Sequence, residues 1–197
     1  ASEVTSFVTE TVVRDIEASG LLPEGALQFI GGKGHGLLDF VENQDVVTFT
    51  GSASTGKLLK AHPRLLEHSV PFNMEADSLN AMVLGEDAAP GTPEFDVFIK
   101  NVRAEMTVKT GQKCTAVRRI IVPAPFLEDV QIQLGRELAK TKIGDPSVEG
   151  VRMGALVSQT QRERVLKSLQ QLTQSSSVVF GDLEKYEVLG ADKKSGA

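Results

Sequence analysis

One cysteine in 197 residues, Cys114, leaves no intrachain disulfide to staple the fold. Histidine is almost as scarce, and His35, His62 and His68 lack any spacing that would hold a metal, so no metal site is expected. Apolar runs are short. None approaches the roughly 20 residues that span a bilayer, and no charged segment followed by an apolar one opens the chain as a secretion signal would. Positive charge is in deficit, with 21 Lys and Arg against 26 Asp and Glu and a net charge of -5. That balance argues against a nucleic-acid or anionic-membrane partner, and Lys113 with Arg118 and Arg119 is too small a run to form a basic patch. Internal repeats are missing, and the one low-complexity tract is Ser175-Ser176-Ser177. The chain opens Ala1-Ser2-Glu3 without an initiator Met, which fits a fragment or a processed chain. A lone thiol fits a reducing compartment, so a cytoplasmic protein is expected.

With 41% hydrophobic and 24% charged residues, the chain has the composition of a globular protein. Phe7, Val8, Val12 and Ile16 stand at helical spacing over residues 5–19, ended by Gly20. Ala26-Leu27-Gln28-Phe29-Ile30 reads as a buried strand, followed by a glycine-rich loop over 31–36 and a short helix through Leu37, Leu38 and Val41. A second strand, Val46-Val47-Thr48-Phe49-Thr50, breaks at Gly51 into a helix from near Ala53 that Pro63 stops. Residues 79–84 read as a strand and 93–110 as an amphipathic helix with Phe95, Phe98, Ile99, Val102 and Met106 on one face. A strand over 117–122, a helix over 125–139, a helix through Val165, Leu166 and Leu169, and a strand at Val178-Val179-Phe180 complete the pattern. Alternating helices and strands predict α/β architecture with parallel strands, in two units divided near residues 75–78.

Gly51-Ser52-Ala53-Ser54-Thr55-Gly56-Lys57 has the G-x-x-x-x-G-K spacing of a phosphate loop and joins a strand to a helix. The following position, whose hydroxyl should hold magnesium, is Leu58, which removes the metal-assisted part of that chemistry. What survives is a strand entering a helix through Gly and Ser, a place where free N–H groups face an anion such as a dinucleotide pyrophosphate. A plain Gly-Ser helix cap without a ligand is the alternative. The run Gly31 to Gly36 offers G-x-G at Gly32 and Gly34 but has Leu37 in place of a third glycine, which suits a loop better than a cofactor fingerprint.

Cys114 follows a helix in Gly111-Gln112-Lys113-Cys114-Thr115, where a loop position exposes the thiol and a neighbouring lysine favours the thiolate. By itself a lone cysteine is more often a small buried apolar residue than a nucleophile. Glu75 follows the apolar run Val70-Pro71-Phe72-Asn73-Met74, surroundings that suit a general base, although a solvated glutamate at a strand end fits the same residues.

In order and spacing these motifs resemble the aldehyde dehydrogenase superfamily along essentially the whole chain. Phe49-Thr50-Gly51-Ser52 followed by Gly56 matches its F-T-G-S-x-x-x-G cofactor loop, Met74-Glu75 the start of its M-E-L-G-G motif, and Gly111-Gln112-Lys113-Cys114 its G-Q-x-C nucleophile motif. The separation of Glu75 and Cys114 is a few residues longer than usual, an excess assigned to the loop over 85–93. Where most members continue L-G-G-K after the glutamate, this chain reads Ala76-Asp77-Ser78-Leu79-Asn80. That run looks like the branch holding the dehydrogenase domain of the phenylacetate ring-opening enzyme and dehydroadipyl-CoA semialdehyde dehydrogenase.

The resemblance implies the second half of a Rossmann-type cofactor domain in residues 1–77 and the first part of an α/β catalytic domain in 78–197. It implies Cys114 as nucleophile and Glu75 as general base, and Ser2, Gly51, Ser52, Thr55, Gly56 and Ala76 as cofactor-binding positions. The cofactor implied is NADP, with NAD as the alternative, because Ser2 stands where many NAD-preferring members are acidic. The substrate implied is a small-molecule aldehyde carried as a CoA thioester, and the full-length enzyme is expected to be a homo-oligomer. The family's cofactor lysine, its oxyanion asparagine and its E-x-F-G-P motif fall outside these residues, so the chain by itself is expected to turn over little. A P-loop-like ATPase module and a non-catalytic α/β binding domain are the competing classes.

Overall fold

Helical spacing of apolar residues yields α1 (Ser6–Ala18), and Gly20 follows it in the left-handed region at φ +65°. The structure, a computed structural model, describes residues 3–32 and 34–193. No residue of α1 is buried, and Phe7 is 81% exposed. The expected stripe therefore covers no core among the described residues.

Residues 26–30 do not form the expected strand. A strand needs a neighbour to take its N–H and C=O groups, and none among the described residues pairs with this one; Ile30 is exposed. Part of the glycine run is helical, since Gly34–Phe40 forms a 3-10 helix that buries Leu38.

The described residues fall into two compact units that divide between Asp77 and Ser78. In the first, β1 (Val47–Gly51) pairs in parallel with β2 (Phe72–Ala76), Val47 opposite Phe72 and Gly51 opposite Ala76. Parallel neighbours need a long crossover, supplied here by α2 (Ala53–Lys60) and α3 (Pro63–Glu67). Pro63 does more than stop a helix. It opens α3 with its φ preset and no N–H to lose, while the His62 ring accepts from the Arg64 N–H. Leu38, Leu65 and Val70 form the core, joined by Val41, Val47, Leu59 and Phe72. At the surface Glu42 pairs with Arg64 and His68, and Asp39 lies beside His62, so these two histidines serve the fold.

The second unit repeats the plan. β3 (Ala81–Val83) and β4 (Arg119–Ile121) run parallel, Ala81 opposite Arg119, across a connection that includes α4 (Pro93–Thr107). Thr92 caps α4 by accepting from the Phe95 N–H, and Pro93, Glu94 and Asp96 fill a first turn that favours proline and acids. Phe95, Phe98, Ile99 and Val102 are buried as their spacing predicts, and with Leu84, Ala88 and Val130 of α5 (Leu127–Ala139) they form the core. Met106, expected on the same face, is instead 39% exposed, although Thr107 beside it is buried. α6 (Gln159–Leu172) buries no residue, and Val178, Val179 and Phe180 stay exposed, with no partner strand among the described residues, instead of pairing as expected. Among the described residues, no helix is long and apolar enough to cross a membrane and no acidic, histidine or cysteine cluster could hold a metal.

Candidate active site

In the first unit the candidate cofactor residues converge at the carboxyl ends of two parallel strands, the edge where open α/β sheets bind ligands. Gly51 ends β1 and lies opposite Ala76 at the end of β2. Ser52 is extended at φ -75° and caps α2, its hydroxyl accepting from the Thr55 N–H at 3.2 Å and donating to Thr55 Oγ1 at 2.9 Å. Gly56 is buried on α2 where a Cβ would overlap the Met74 sulfur and approach Phe49 Cδ1 to 3.3 Å, so glycine sets how near the helix comes to β1 and β2. Ser2 lies outside the described residues.

The sequence suggests free N–H groups at the start of α2, but two of them already have partners. Ser52 takes the Thr55 N–H, and the Asp77 carboxylate takes the Ala53 N–H at 3.2 Å. Asp77 adopts φ +45°, which turns the chain after β2 and keeps its own N–H within 3.4 Å of the Gly51 carbonyl. Sequence reasoning assigned Asp77 no role; its signal was an acid in place of a family glycine, directly after a strand.

Glu75 lies in β2 opposite Thr50. Side chains alternate along a strand, so Phe72, Met74 and Ala76 are half-buried while Asn73 and Glu75 are exposed. The apolar residues beside Glu75 in sequence thus occupy the other face, and its carboxylate meets solvent.

Cys114 belongs to the second unit and is an exposed free thiol. The approach to it is strained: Lys109, Thr110 and Gly111 follow one another in the left-handed region at φ 52°, 56° and 68°. Each non-glycine residue there costs about 1–2 kcal/mol and persists only where its surroundings hold it. Here the Thr110 hydroxyl donates to the Gly154 carbonyl at 2.8 Å, and Gln112 accepts from the Val157 N–H at 2.9 Å.

Beyond Gln112 the chain turns over residues 113–116, closed by the Ala116 N–H on the Lys113 carbonyl at 3.2 Å. Arg118 Nη2 donates to the Gly111 carbonyl at 2.9 Å and reaches the Lys113 carbonyl at 3.5 Å. In a trans peptide C=O and N–H point oppositely, so fixing the Lys113 carbonyl aims the Cys114 N–H to the other side. Among the described residues nothing accepts from that N–H. An exposed thiol and an unspent donor on one residue are the two groups that acyl chemistry requires, a nucleophile and a site for the oxyanion.

The Lys113 ammonium, expected to favour the thiolate, is 2.8 Å from Glu105 Oε1 on α4, which offsets its charge. Two further residues that sequence reasoning passed over are Asn80 and Arg118, whose side chains grip the carbonyls around Cys114. Their signal lay in the altered run after Glu75 and in the basic residues flanking the motif.

A profile of the aldehyde dehydrogenase family matches residues 1–191. The chain is 45% identical over 188 residues to a 3,4-dehydroadipyl-CoA semialdehyde dehydrogenase of Aromatoleum evansii, covering 95% of this chain and 36% of that protein. It is 27% identical to an α-ketoglutaric semialdehyde dehydrogenase of Bacillus subtilis, over 93% of this chain and 36% of the relative. The fold is that of a betaine aldehyde dehydrogenase from Staphylococcus aureus solved with NAD+, at TM-score 0.79 and 22% identity, covering 91% of this chain and 36% of the other. The chain thus spans about a third of the length of the relatives it matches. With the family profile running along nearly its whole length, this chain belongs to the aldehyde dehydrogenase family.

Proposed function

We propose that the chain is part of a longer NADP-dependent dehydrogenase that oxidises a CoA-linked semialdehyde to its carboxylic acid, in the breakdown of aromatic compounds. The observation that carries the chemistry is the exposed Cys114 thiol beside its own N–H, which has no acceptor among the described residues. The substrate class rests on the 45% identical relative and its name. In this reading residues 1–77 are the C-terminal part of the cofactor domain and 78–197 the N-terminal part of the catalytic domain. The full protein acts in the cytoplasm as a homo-oligomer.

The residues present fit a dinucleotide. A Gly-Ser entry into a helix at the strand ends, with Gly56 letting that helix sit close, forms the kind of cradle a pyrophosphate needs. Gly51, Ser52, Thr55, Gly56 and Ala76 would hold the cofactor, with Ser2 neutral toward a 2′-phosphate. Bound there, NADP would accept the hydride lost by the substrate.

Cys114 attacks the aldehyde carbon through its thiolate, forming the C–S bond while the carbonyl electrons move onto oxygen. The Cys114 N–H donates to that oxyanion. Loss of hydride restores the carbonyl and leaves a thioester on Cys114. Glu75 takes a proton from water, which attacks the thioester and releases the acid and the thiolate. Turnover measured as NADP reduction on the full-length protein with a CoA-linked semialdehyde tests this directly. Cys114→Ala should abolish it, whereas Glu75→Gln should leave one hydride transfer per site and then stall. Steady turnover by Cys114→Ala would refute the reading.

A further inference from the structure

Cys114 sits on an exposed turn with a strained approach, yet the attack geometry needs its backbone fixed, so something outside the turn must hold it. The residue that does so is Asn80, just before β3 in the same unit. Its Nδ2 donates to the Cys114 carbonyl at 2.6 Å and to the Ala116 carbonyl at 3.3 Å. Its own carbonyl accepts from the Arg118 and Arg119 N–H groups at 2.9 and 3.1 Å. One residue therefore binds the backbone of the cysteine, the backbone two residues later, and the entry to β4.

We propose that Asn80 is a positioning residue for catalysis: its amide fixes the turn of residues 113–116 so that the Cys114 thiol and N–H face a common point. This rests on the proposed role of Cys114 and adds a residue to it. Nothing else about Asn80 requires an amide. The residue is exposed and belongs to no core cluster, and two backbone carbonyls are partners that only a donor of that reach can serve. Arg118 holds the preceding carbonyls from the other end of the turn, at Gly111 and Lys113. Two side chains thus grip the turn and the residues leading into it on four carbonyls, and Asn80 holds the one on the nucleophile.

The test uses the full-length protein, with NADP reduction and iodoacetamide labelling of Cys114 measured side by side. Asn80→Ala should lower kcat about 10- to 100-fold, since a small misplacement of a reacting group can cost about 100-fold, with KM changed much less. Thermal unfolding and the labelling rate should stay close to those of the unaltered protein, because the thiol is still exposed and the core untouched. Asn80→Asp keeps the volume but sets a carboxylate against two carbonyls. Its kcat relative to the unaltered protein should rise as pH falls, since the protonated carboxyl regains an O–H to donate, a recovery that a purely structural residue would not show. A kcat within about threefold of the unaltered protein in both variants would overturn the proposal. So would a loss that tracks unfolding and faster labelling. Cys114→Ala in the same assay separates the two ideas: activity surviving it defeats the role of the thiol, whereas its loss together with a fully active Asn80→Ala defeats only the role of Asn80.

Discussion

Ser52 holds the start of α2 and is also the hydroxyl assigned to the pyrophosphate, and two substitutions pull these roles apart. In the structure its oxygen accepts from the Thr55 N–H at 3.2 Å while its single hydrogen is given to Thr55 Oγ1 at 2.9 Å. Replacing an N-cap serine by alanine costs about 0.5–2 kcal/mol, but replacing it by glycine costs only a few tenths. Ser52→Gly should therefore leave stability nearly unchanged, whereas Ser52→Ala lowers it by about 1 kcal/mol. To meet a phosphate the hydroxyl must release Thr55 Oγ1. A hydrogen bond to a charged group is worth about 1.5–3 kcal/mol and the neutral one surrendered about 1 kcal/mol, which leaves a net gain of about 0.5–2 kcal/mol. That gain corresponds to a Kd for NADP about 2- to 30-fold weaker in both variants. Calorimetric titration of NADP into the full-length protein, beside thermal unfolding, reads both quantities. Unchanged affinity in Ser52→Gly would remove the hydroxyl from the cofactor site and leave it a helix cap alone.

Ile99 is 2% exposed at the centre of the second unit's core, so Ile99→Ala should cost about 2–5 kcal/mol in urea unfolding; a loss below 1 kcal/mol would mean that α4 is not packed there. Asp145 and Asp182 titrate below the ordinary carboxyl range, chiefly because the Ser147 N–H bonds to Asp145, and the Glu184 and Lys185 N–H groups to Asp182. A lowered folded pKa adds stability that is fully present above the unfolded value and is lost as pH falls through the folded one. Carboxyl NMR titration should find both still ionised when ordinary solvent-exposed carboxylates have protonated. Midpoints at or above 3.8 would show the loops to be open in solution.

Much of the fold was legible because its causes are local. A threonine and a proline before an apolar stripe start α4, and Gly51-Ser52 turns a strand into α2. The two missing strands share one cause. Residues 26–30 and 178–180 carry strand composition, yet a strand exists only with a partner, and none of the described residues supplies one. Met106 kept the spacing of its neighbours yet is 39% exposed.

The candidate site divides in the same way. Residue type and motif order were sufficient to single out Cys114, Glu75 and the Gly51–Gly56 loop, because a thiol, a carboxylate and a close backbone approach are properties of the residues themselves. Only the tertiary structure decided that Asp77 takes the first N–H of α2, that Glu105 offsets Lys113, and that Asn80 holds the Cys114 carbonyl from 34 positions away. Those are pairings across folded chain. A hydrogen bond acts over about 3 Å, so which donor meets which carbonyl is settled by packing and leaves no periodic trace in the sequence.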